Sequence, residues 1–157
     1  MRGYPKSFKP MLYGVAVMVF TSGLLLTPTM LDMRLEWDVP WRLPFEARTG
    51  VVMAHFAAAM WLLMIFGAAW TVHMRLGWRT KRNLVSGLTL VAAMLVMALT
   101  SVGIYYFGDE DMSLLASVIH TVLGLLAPVV LLYHISFGKM RAEREAMRAR
   151  FAVRRKL

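Results

Sequence analysis

Four long apolar runs divide this chain, at about residues 11–30, 50–73, 84–107 and 112–137. Each run, at ~1.5 Å of rise per residue in an α-helix, is long enough to cross a hydrocarbon core of about 30 Å. Polar stretches separate the runs, and a basic segment, residues 139–157, follows the last one. The pattern predicts an all-α integral membrane four-helix bundle that forms a single domain.

Charged residues are distributed unevenly between the two ends of these runs. The N-terminal segment, the connection between the second and third runs and the C-terminal segment hold fifteen of the eighteen Lys and Arg residues. The other two connections hold the remaining three, together with seven of the nine acidic residues. By the positive-inside rule, we expect both chain termini in the cytoplasm and the two acidic connections on the outer side.

The composition is typical of a membrane protein and argues against several other classes. Hydrophobic residues make up 59% of the chain, so a soluble single domain is not expected. The net charge of +9 would suit nucleic-acid binding, but the basic residues lie at the ends of apolar runs, where membrane topology accounts for them. The chain has no cysteine, which excludes disulfides, thiolate-ligated clusters and a covalently attached haem.

The segments around the apolar runs allow further expectations. The first run is too long for a typical signal-peptide core and lacks a small-residue cleavage pattern, so we expect a retained transmembrane helix. The connection over residues 31–49 carries Trp37 and Trp41, which favour the membrane interface. The tail from Arg141 to Leu157 is expected either to continue the last helix, against anionic lipid or a partner, or to be a solvated charge run.

The only four histidines of the chain lie in the second and fourth runs, two in each. His55 and His73 are eighteen residues apart, which is about five whole turns at ~100° per residue. His120 and His134 are fourteen residues apart, which misses a whole number of turns by about 40°. Each helix is therefore expected to point both of its histidines in one direction, ~27 Å apart in the second run and ~21 Å apart in the fourth.

With the expected topology, the second and fourth helices run in the same direction and offer two cross-helix histidine pairs. His55 would meet His120 towards the outer leaflet, and His73 would meet His134 towards the inner leaflet. Two neutral imidazoles, one on each face of a porphyrin, fill the axial positions of a haem iron. The unequal spacings leave a depth mismatch of ~6 Å, which helix tilt or a bend at Pro128 is expected to absorb.

A porphyrin held between helices also needs space beside its ligands. In the second run, Ala59 and Ala69 each lie one turn from a histidine. In the fourth run, Gly124 lies one turn from His120, and Ala127 lies about one turn further on. These residues would leave room for a flat cofactor, although small residues line ordinary contacts between membrane helices as well.

Two arginines near the histidines are candidates for binding haem propionates. Arg48 precedes His55 by seven residues, and Arg75 follows His73 by two. Guanidinium groups bind carboxylates through charge-assisted hydrogen bonds. Both arginines are accounted for equally well as ordinary determinants of membrane topology.

The histidines themselves have other interpretations. They could be interfacial side chains or polar contacts between helices, which suits the two nearest the run ends, His73 and His134. This interpretation suits the other two less well, because ionisable residues inside a membrane are costly. Zinc or copper without haem would need carboxylate or sulfur ligands at the same depth. The apolar runs contain no Asp, Glu or Cys, although Met is abundant.

Four spans, cytoplasmic termini and four histidines resemble the di-haem b-type cytochromes of the cytochrome b561 superfamily and the related membrane subunits of bacterial respiratory dehydrogenases. The thirteen residues between His120 and His134 are similar to the paired-ligand helix of many b-type cytochromes. The seventeen residues between His55 and His73 depart from that spacing. In the small bacterial b561 proteins, the ligands that partner such a helix come from two different helices, whereas here they share one. The resemblance covers roughly residues 51–137.

The resemblance implies two non-covalent haem b groups in a multi-pass protein of the bacterial inner membrane, with the four histidines as axial ligands. It also implies electron transfer between the quinone pool and a periplasmic partner, either a dehydrogenase subunit or a soluble cytochrome. The chain would then be one subunit of a hetero-oligomeric oxidoreductase rather than a complete enzyme. The nearest enzymatic alternative is a stand-alone quinone-reducing cytochrome, similar to the small b561 proteins that oxidise superoxide.

Two alternatives come from other classes of protein. One is a haem-free membrane anchor or assembly subunit, in which the four histidines would not be essential for complex formation. The other is a proton or ion carrier that uses a histidine relay. A carrier usually needs buried carboxylates or broken helices, and this sequence indicates neither.

Overall fold

The computed structural model describes residues 4–81 and 83–154, except for the side chains of residues 149 and 152–154. All regular secondary structure in this part of the chain is helical, which confirms the predicted all-α class. The elements are α1 (Phe8–Leu35), α2 (Phe45–Ala69), a π turn (Trp70–Met74), α3 (Arg75–Thr80), α4 (Leu84–Tyr106) and α5 (Glu110–Arg154). Four stretches are long and apolar enough to cross a membrane: Phe8–Leu35, Phe45–Thr80, Leu84–Tyr106 and Glu110–Arg148.

The helices are longer than the apolar runs, so the first connection is shorter than the expected 31–49. α1 ends at Glu36, which adopts a left-handed conformation with φ 54°. The backbone N–H of Trp37 donates to the carbonyl oxygen of Leu31 at 3.2 Å, which closes the helix with a Schellman-type bond. Pro44 immediately precedes α2. Proline has no backbone N–H, and a residue at this position does not need one for the hydrogen bonds of the helix. Only residues 36–44 are therefore non-helical between the first two spans.

The turn into α5 is determined by acidic residues. The side-chain Oδ1 of Asp109 accepts a hydrogen bond from the backbone N–H of Met112 at 2.9 Å. This is an N-cap interaction, which satisfies one of the backbone donors that a helix start leaves unpaired. Glu110 and Asp111 lie in the first turn, where negative charge favours the helix dipole. α5 then continues through Pro128 and extends as helix through the described part of the basic tail.

The second span is not a regular α-helix over its whole length. The five residues Trp70–Met74 form a π turn, in which each hydrogen bond encloses one more residue than in an α-helix. The expectation of five whole α-helical turns from His55 to His73 assumed regular geometry and was wrong in this respect. A π turn advances less along the axis per residue, so it shortens the longer of the two histidine spacings.

The bundle is built from two antiparallel hairpins. The closest packing joins α4 to α5 and α1 to α2, and α1 also contacts α5. At the α4–α5 crossing, a Cβ added at Gly103 would lie 3.1 Å from the Cβ of Ala116, so the glycine permits the close approach. Close backbone approaches between α2 and α5 are few or absent among the described residues, although the two helices are parallel neighbours.

The two ends of the bundle are formed by different segments of the chain. The loop end is formed by the α1–α2 connection and the α4–α5 turn. The terminal end is formed by the segment before α1, by α3 and by the tail of α5. Large apolar side chains remain exposed along all four spans, for example Val17, Phe56, Leu99 and Leu132. An apolar exterior of this kind suits a lipid environment.

Candidate histidine-pair sites

Histidines of the second span face histidines of α5 at two levels. At the loop end, the ring centroids of His55 and His120 are 6.3 Å apart, and the ring planes make an angle of 76°. Towards the terminal end, the ring centroids of His73 and His134 are 6.1 Å apart, at 84°. We call these the first pair and the second pair. The structure therefore brings together the same partners that the sequence predicts.

The spacing within each pair suits two imidazoles bound to opposite sides of one metal atom. An imidazole nitrogen lies roughly 1.1 Å from the ring centroid and roughly 2.0–2.1 Å from a bound metal, so two such rings have centroids about 6.2–6.4 Å apart. Aromatic rings in direct edge-to-face contact have centroids ~4.5–7 Å apart, so the distance alone does not distinguish ligation from ring contact. The hydrogen bonds of the ring nitrogens help to distinguish the two cases, because a ligand nitrogen must have a free lone pair.

The Nδ1 atom of His55 is held by the neighbouring helix α1. It lies 3.1 Å from the carbonyl oxygen of Val19 and 2.9 Å from the hydroxyl of Ser22. A carbonyl oxygen can only accept, so Nδ1 carries the proton and donates. The Ser22 hydroxyl donates to its own helix, at 2.7 Å from the carbonyl oxygen of Met18, and so offers a lone pair to His55. This tautomer leaves the Nε2 lone pair of His55 free for a ligand.

Helix α4 holds His120 in the same way. The Nδ1 atom of His120 lies 3.1 Å from the carbonyl oxygen of Met97 and 3.2 Å from the hydroxyl of Thr100. The Thr100 hydroxyl donates within α4, to the carbonyl oxygen of Val96 at 2.8 Å. Nδ1 is therefore the donor here too, and Nε2 is unprotonated.

His134 is held by a second hydroxyl of α4. Its Nδ1 lies 2.8 Å from the hydroxyl of Ser86, which is 7% exposed and lies 3.3 Å from the carbonyl oxygen of Asn83. The Ser86 oxygen accepts from His134 in the tautomer that carries the proton on Nδ1, with the hydroxyl proton then directed to the Asn83 carbonyl. Metal-bound histidines almost always donate their second ring N–H to an oxygen of this kind.

His73 is positioned through its backbone rather than its ring. Its ring makes no hydrogen bond with the described residues, whereas its backbone N–H donates to the hydroxyl oxygen of Tyr4 at 3.2 Å. Tyr4 precedes α1 and also lies 3.1 and 3.2 Å from the carbonyl oxygens of Ala68 and Ala69. No hydrogen bond to the Nε2 of any of the four histidines is formed within residues 4–81 and 83–154.

The histidine pairs lie between helices that are not closely packed against each other. The first pair bridges α2 and α5, and the second pair bridges the π turn and α5. α2 and α5 have few or no close backbone approaches among the described residues. A Cβ added at Gly124, one turn from His120, would meet nothing within 4 Å. Ala69 instead packs in a buried cluster with Phe8 and Ile65, so it does not leave the space expected of it.

The donor set fits a haem better than a metal ion bound by protein alone. Among the described residues, no group of three or more His, Cys, Asp or Glu side chains could hold a metal ion. Two imidazoles without a third protein ligand do not complete a tetrahedral zinc site. A porphyrin supplies four nitrogen ligands itself and needs only the two axial ones. The four histidines would hold two such groups, and their ligand role stays a prediction.

Arg48 lies on the same face of α2 as His55, two turns nearer the loop end. It is half-buried, its Nη1 lies 3.0 Å from the sulfur of Met33, and its guanidinium lies 5.3 Å from the ring centroid of Phe45. These residues border an open recess of about 510 Å³, which is also lined by Arg42, Leu43 and Pro44. Arg42 forms an ion pair with Asp32. Arg48 is therefore well placed for an anionic group that extends from the first pair.

Arg75 is less well placed than Arg48. It is exposed and follows His73 by two residues, which turns it to roughly the opposite side of the helix. A propionate role for either arginine stays a prediction, and the geometry favours Arg48.

Sequence reasoning missed the side chains that orient the histidines: Ser22, Ser86, Thr100 and Tyr4. One signal was present, because Ser22-Gly23 and Ser86-Gly87 are the same dipeptide within two apolar runs. In both cases the glycine lies beside the histidine that the serine holds. A Cβ added at Gly23 would lie 3.1 Å from Cε1 of His55, and one added at Gly87 would lie 3.7 Å from Cε1 of His134.

Fold and site together define a four-span helical bundle with two facing histidine pairs. Comparison with known proteins adds no family to this description, since no family model, curated protein or solved structure matches the chain. The resemblance to b-type cytochromes of the b561 superfamily therefore stays a prediction, based on the arrangement of spans and histidines.

Proposed function

We propose that this chain is a di-haem b-type membrane cytochrome, with one non-covalent haem b at each histidine pair. The observation that carries the proposal is the pairing itself: two facing imidazole pairs, with centroids 6.3 and 6.1 Å apart, lie between helices that are not closely packed. The hydrogen bonds from Nδ1 of His55 and His120 to backbone carbonyl oxygens support it, because they leave Nε2 of both rings available to an iron atom.

The residues of the chain act on the cofactor through orientation and exclusion. Carbonyl oxygens of α1 and α4 fix the tautomer of His55 and His120, and the Ser86 hydroxyl restricts rotation of the His134 ring. With two histidines for each haem, neither side of the group would be left open to a small molecule, which would favour electron transfer. A bound haem supplies reversible one-electron chemistry, while the protein supplies ligands, spacing and a surround of low polarity.

The two pairs lie at different depths along parallel helices, which suits electron transfer across a membrane. His120 and His134 are fourteen residues apart on α5, or ~21 Å at ~1.5 Å per residue. This distance is about two thirds of a hydrocarbon core of ~30 Å. We place the protein in a bacterial inner membrane, with the first pair towards the outer side, as the distribution of Lys and Arg indicates.

The chain is proposed to be the membrane subunit of a larger oxidoreductase. The connections between its described spans are short, for example residues 36–44 and 107–109, so the proposal assigns any polar substrate to a partner. The electrons would pass between quinone in the membrane and a periplasmic partner, either a dehydrogenase subunit or a soluble cytochrome. The proposal assigns no residue to a quinone site.

A visible difference spectrum tests the proposal directly. The chain is purified in detergent, and a dithionite-reduced minus air-oxidised spectrum is combined with a pyridine haemochrome assay. We expect about two haem b groups per chain with a low-spin spectrum, and one or none in His120→Ala. The matched control is Val129→Ala on the same helix, because this side chain is 62% exposed on the apolar exterior and should leave the haem content unchanged.

The opposite result would favour the haem-free alternative. A colourless wild-type protein that still assembles with its partners would contradict the cytochrome proposal. It would leave a membrane anchor or assembly subunit as the better account of the four spans.

A further inference from the structure

A side chain interrupts the backbone hydrogen bonds of the second span at the π turn. In an α-helix, the N–H of residue i donates to the carbonyl oxygen of residue i−4, so the N–H of His73 would donate to Ala69. Here that N–H donates to the hydroxyl oxygen of Tyr4 at 3.2 Å, and the same hydroxyl lies 3.2 Å from the carbonyl oxygen of Ala69. The Tyr4 hydroxyl is thus inserted into the α-helical bond that would otherwise join the two residues.

This insertion satisfies backbone groups that the π turn leaves unpaired. A side chain that enters the i→i−4 ladder is a recognised cause of local irregularity in helices. Unpaired backbone groups in an apolar environment cost several kcal/mol each, so an irregular turn inside a membrane span needs such a partner. The Tyr4 hydroxyl accepts one bond and donates to one of two carbonyl oxygens, those of Ala68 and Ala69.

Tyr4 is held in place by packing that does not depend on its hydroxyl. Its ring stacks on Phe8, with centroids 4.2 Å apart and planes at 21°. Phe8 is 6% exposed and forms a buried cluster with Ile65 and Ala69, against which Tyr4 and Met74 also pack. The segment before α1 is therefore anchored to the second span just before the π turn, at Ile65 and Ala69, and at its last residue, Met74.

We infer that Tyr4 is a positioning residue, whose hydroxyl maintains the π turn and so directs the His73 ring towards His134. The π turn accommodates one residue more than a regular helix, which rotates the residues after it by roughly 100° relative to the preceding part of the span. Without the hydroxyl, the bond from His73 to Ala69 can form, and the His73 ring leaves the position that it holds opposite His134. This inference concerns the geometry of the second pair, and its effect on a ligand rests on the proposed function.

Tyr4→Phe tests the inference, because it removes the hydroxyl and retains the ring that packs on Phe8. We expect the haem at the second pair to bind roughly 10–100-fold more weakly, as is typical when an outer partner of a metal ligand is lost. The haem at the first pair should be retained, so that the content falls from about two to about one per chain. The matched control is Tyr13→Phe, since Tyr13 is 42% exposed on α1 and should leave both haems in place.

A second readout does not require haem. The chain has four histidines, so selective ¹⁵N-histidine labelling gives four backbone amide signals. We expect Tyr4→Phe to shift the His73 amide signal and to change its hydrogen exchange, while the other three signals stay in place. A wild-type protein without haem would contradict the proposed function, whereas an unchanged His73 amide in Tyr4→Phe would overturn the role of Tyr4.

Deletion of Thr71 provides a second variant, which removes one residue of the π turn together with the bond from the Thr71 hydroxyl to the carbonyl oxygen of Ala68. Removing one residue from the π turn should convert it to a regular α-helix and keep His73 directed towards His134. In the deletion variant, the regular α-helix pairs all of its backbone groups and has no place for the Tyr4 hydroxyl. Adding Tyr4→Phe to this variant should therefore change haem affinity less than twofold. A loss in the double variant as large as in Tyr4→Phe alone would show that the hydroxyl does not act through the turn, and would overturn the inference.

Discussion

The orientation of the first histidine pair depends on two oxygens of α1. Ser22 is 8% exposed, and its hydroxyl lies 2.9 Å from Nδ1 of His55. The same Nδ1–H also donates to the carbonyl oxygen of Val19. A carbonyl oxygen is present in any variant, but a hydroxyl can be removed without changing the helix. Single residues outside the histidines therefore offer a direct test of how the rings are held.

We expect Ser22→Ala to weaken haem binding at the first pair by about tenfold, the lower end of the usual range for such partners, because Val19 still accepts a hydrogen bond. Titration of the haem-depleted protein measures this. The matched control is Ser101→Ala, because the Ser101 hydroxyl donates within its own helix, to the carbonyl oxygen of Ala98 at 2.7 Å. Equal losses in the two variants would show that the Ser22 contact has no specific role.

Gly23 permits the His55 ring to approach α1 closely. A Cβ there would lie 3.1 Å from Cε1 and 3.6 Å from Nδ1 of the ring, so we expect Gly23→Ala to displace the ring and reduce haem content at the first pair. The control is Gly14→Ala on the same helix, where a Cβ would meet nothing within 4 Å. Visible spectra distinguish the two variants. The spectrum of Gly14→Ala should match that of the wild type, and a wild-type spectrum for Gly23→Ala would contradict the prediction.

At the scale of helices, the α4–α5 hairpin depends on close packing near the loop end. A Cβ at Gly103 would lie 2.6 Å from Cε2 of Phe107 and 3.1 Å from the Cβ of Ala116. We expect Gly103→Ala to destabilise the bundle by about 1–3 kcal/mol, the usual cost of overpacking. Thermal unfolding in detergent measures this.

The control for this prediction is Gly67→Ala, where a Cβ would meet nothing within 4 Å. This change should leave the unfolding temperature the same or slightly higher, because alanine is favoured over glycine in helices. A Gly103→Ala variant as stable as the control would show that the crossing can separate without cost.

The helices and the histidine partners could be predicted from the sequence, because both depend on periodicity within one element. Apolar runs define the spans, and the spacing of His120 and His134 determines their common face. The π turn could not be predicted, since it depends on the hydroxyl of Tyr4, which lies 69 residues before His73 in the chain. Ser22 and Thr100 were missed for the same reason, because their contacts cross between helices that no local pattern relates.

At the scale of the whole molecule, orientation in the membrane is open to a clean test. The chain has no cysteine, so each introduced cysteine reports on one position without background. We expect Asp38→Cys, in the α1–α2 connection, to react with a membrane-impermeant maleimide in intact cells. Thr80→Cys, at the end of α3, should react only after the membrane is permeabilised. The reverse labelling pattern would place the first pair on the cytoplasmic side and contradict the proposed topology.

The sparse packing between α2 and α5 bears on how such a protein would be made. Each hairpin contains the hydrogen-bond partners for its own histidines, since α1 serves α2 and α4 serves α5. The hairpins can therefore insert into the membrane and fold one after the other, joined at first mainly through α1 and α5. Under the proposed function, haem capture is the last step of biogenesis and closes the bundle. Cells starved of haem would then accumulate a full-length chain in which α2 and α5 are not held together. Membrane quality-control proteases can recognise and remove such a chain.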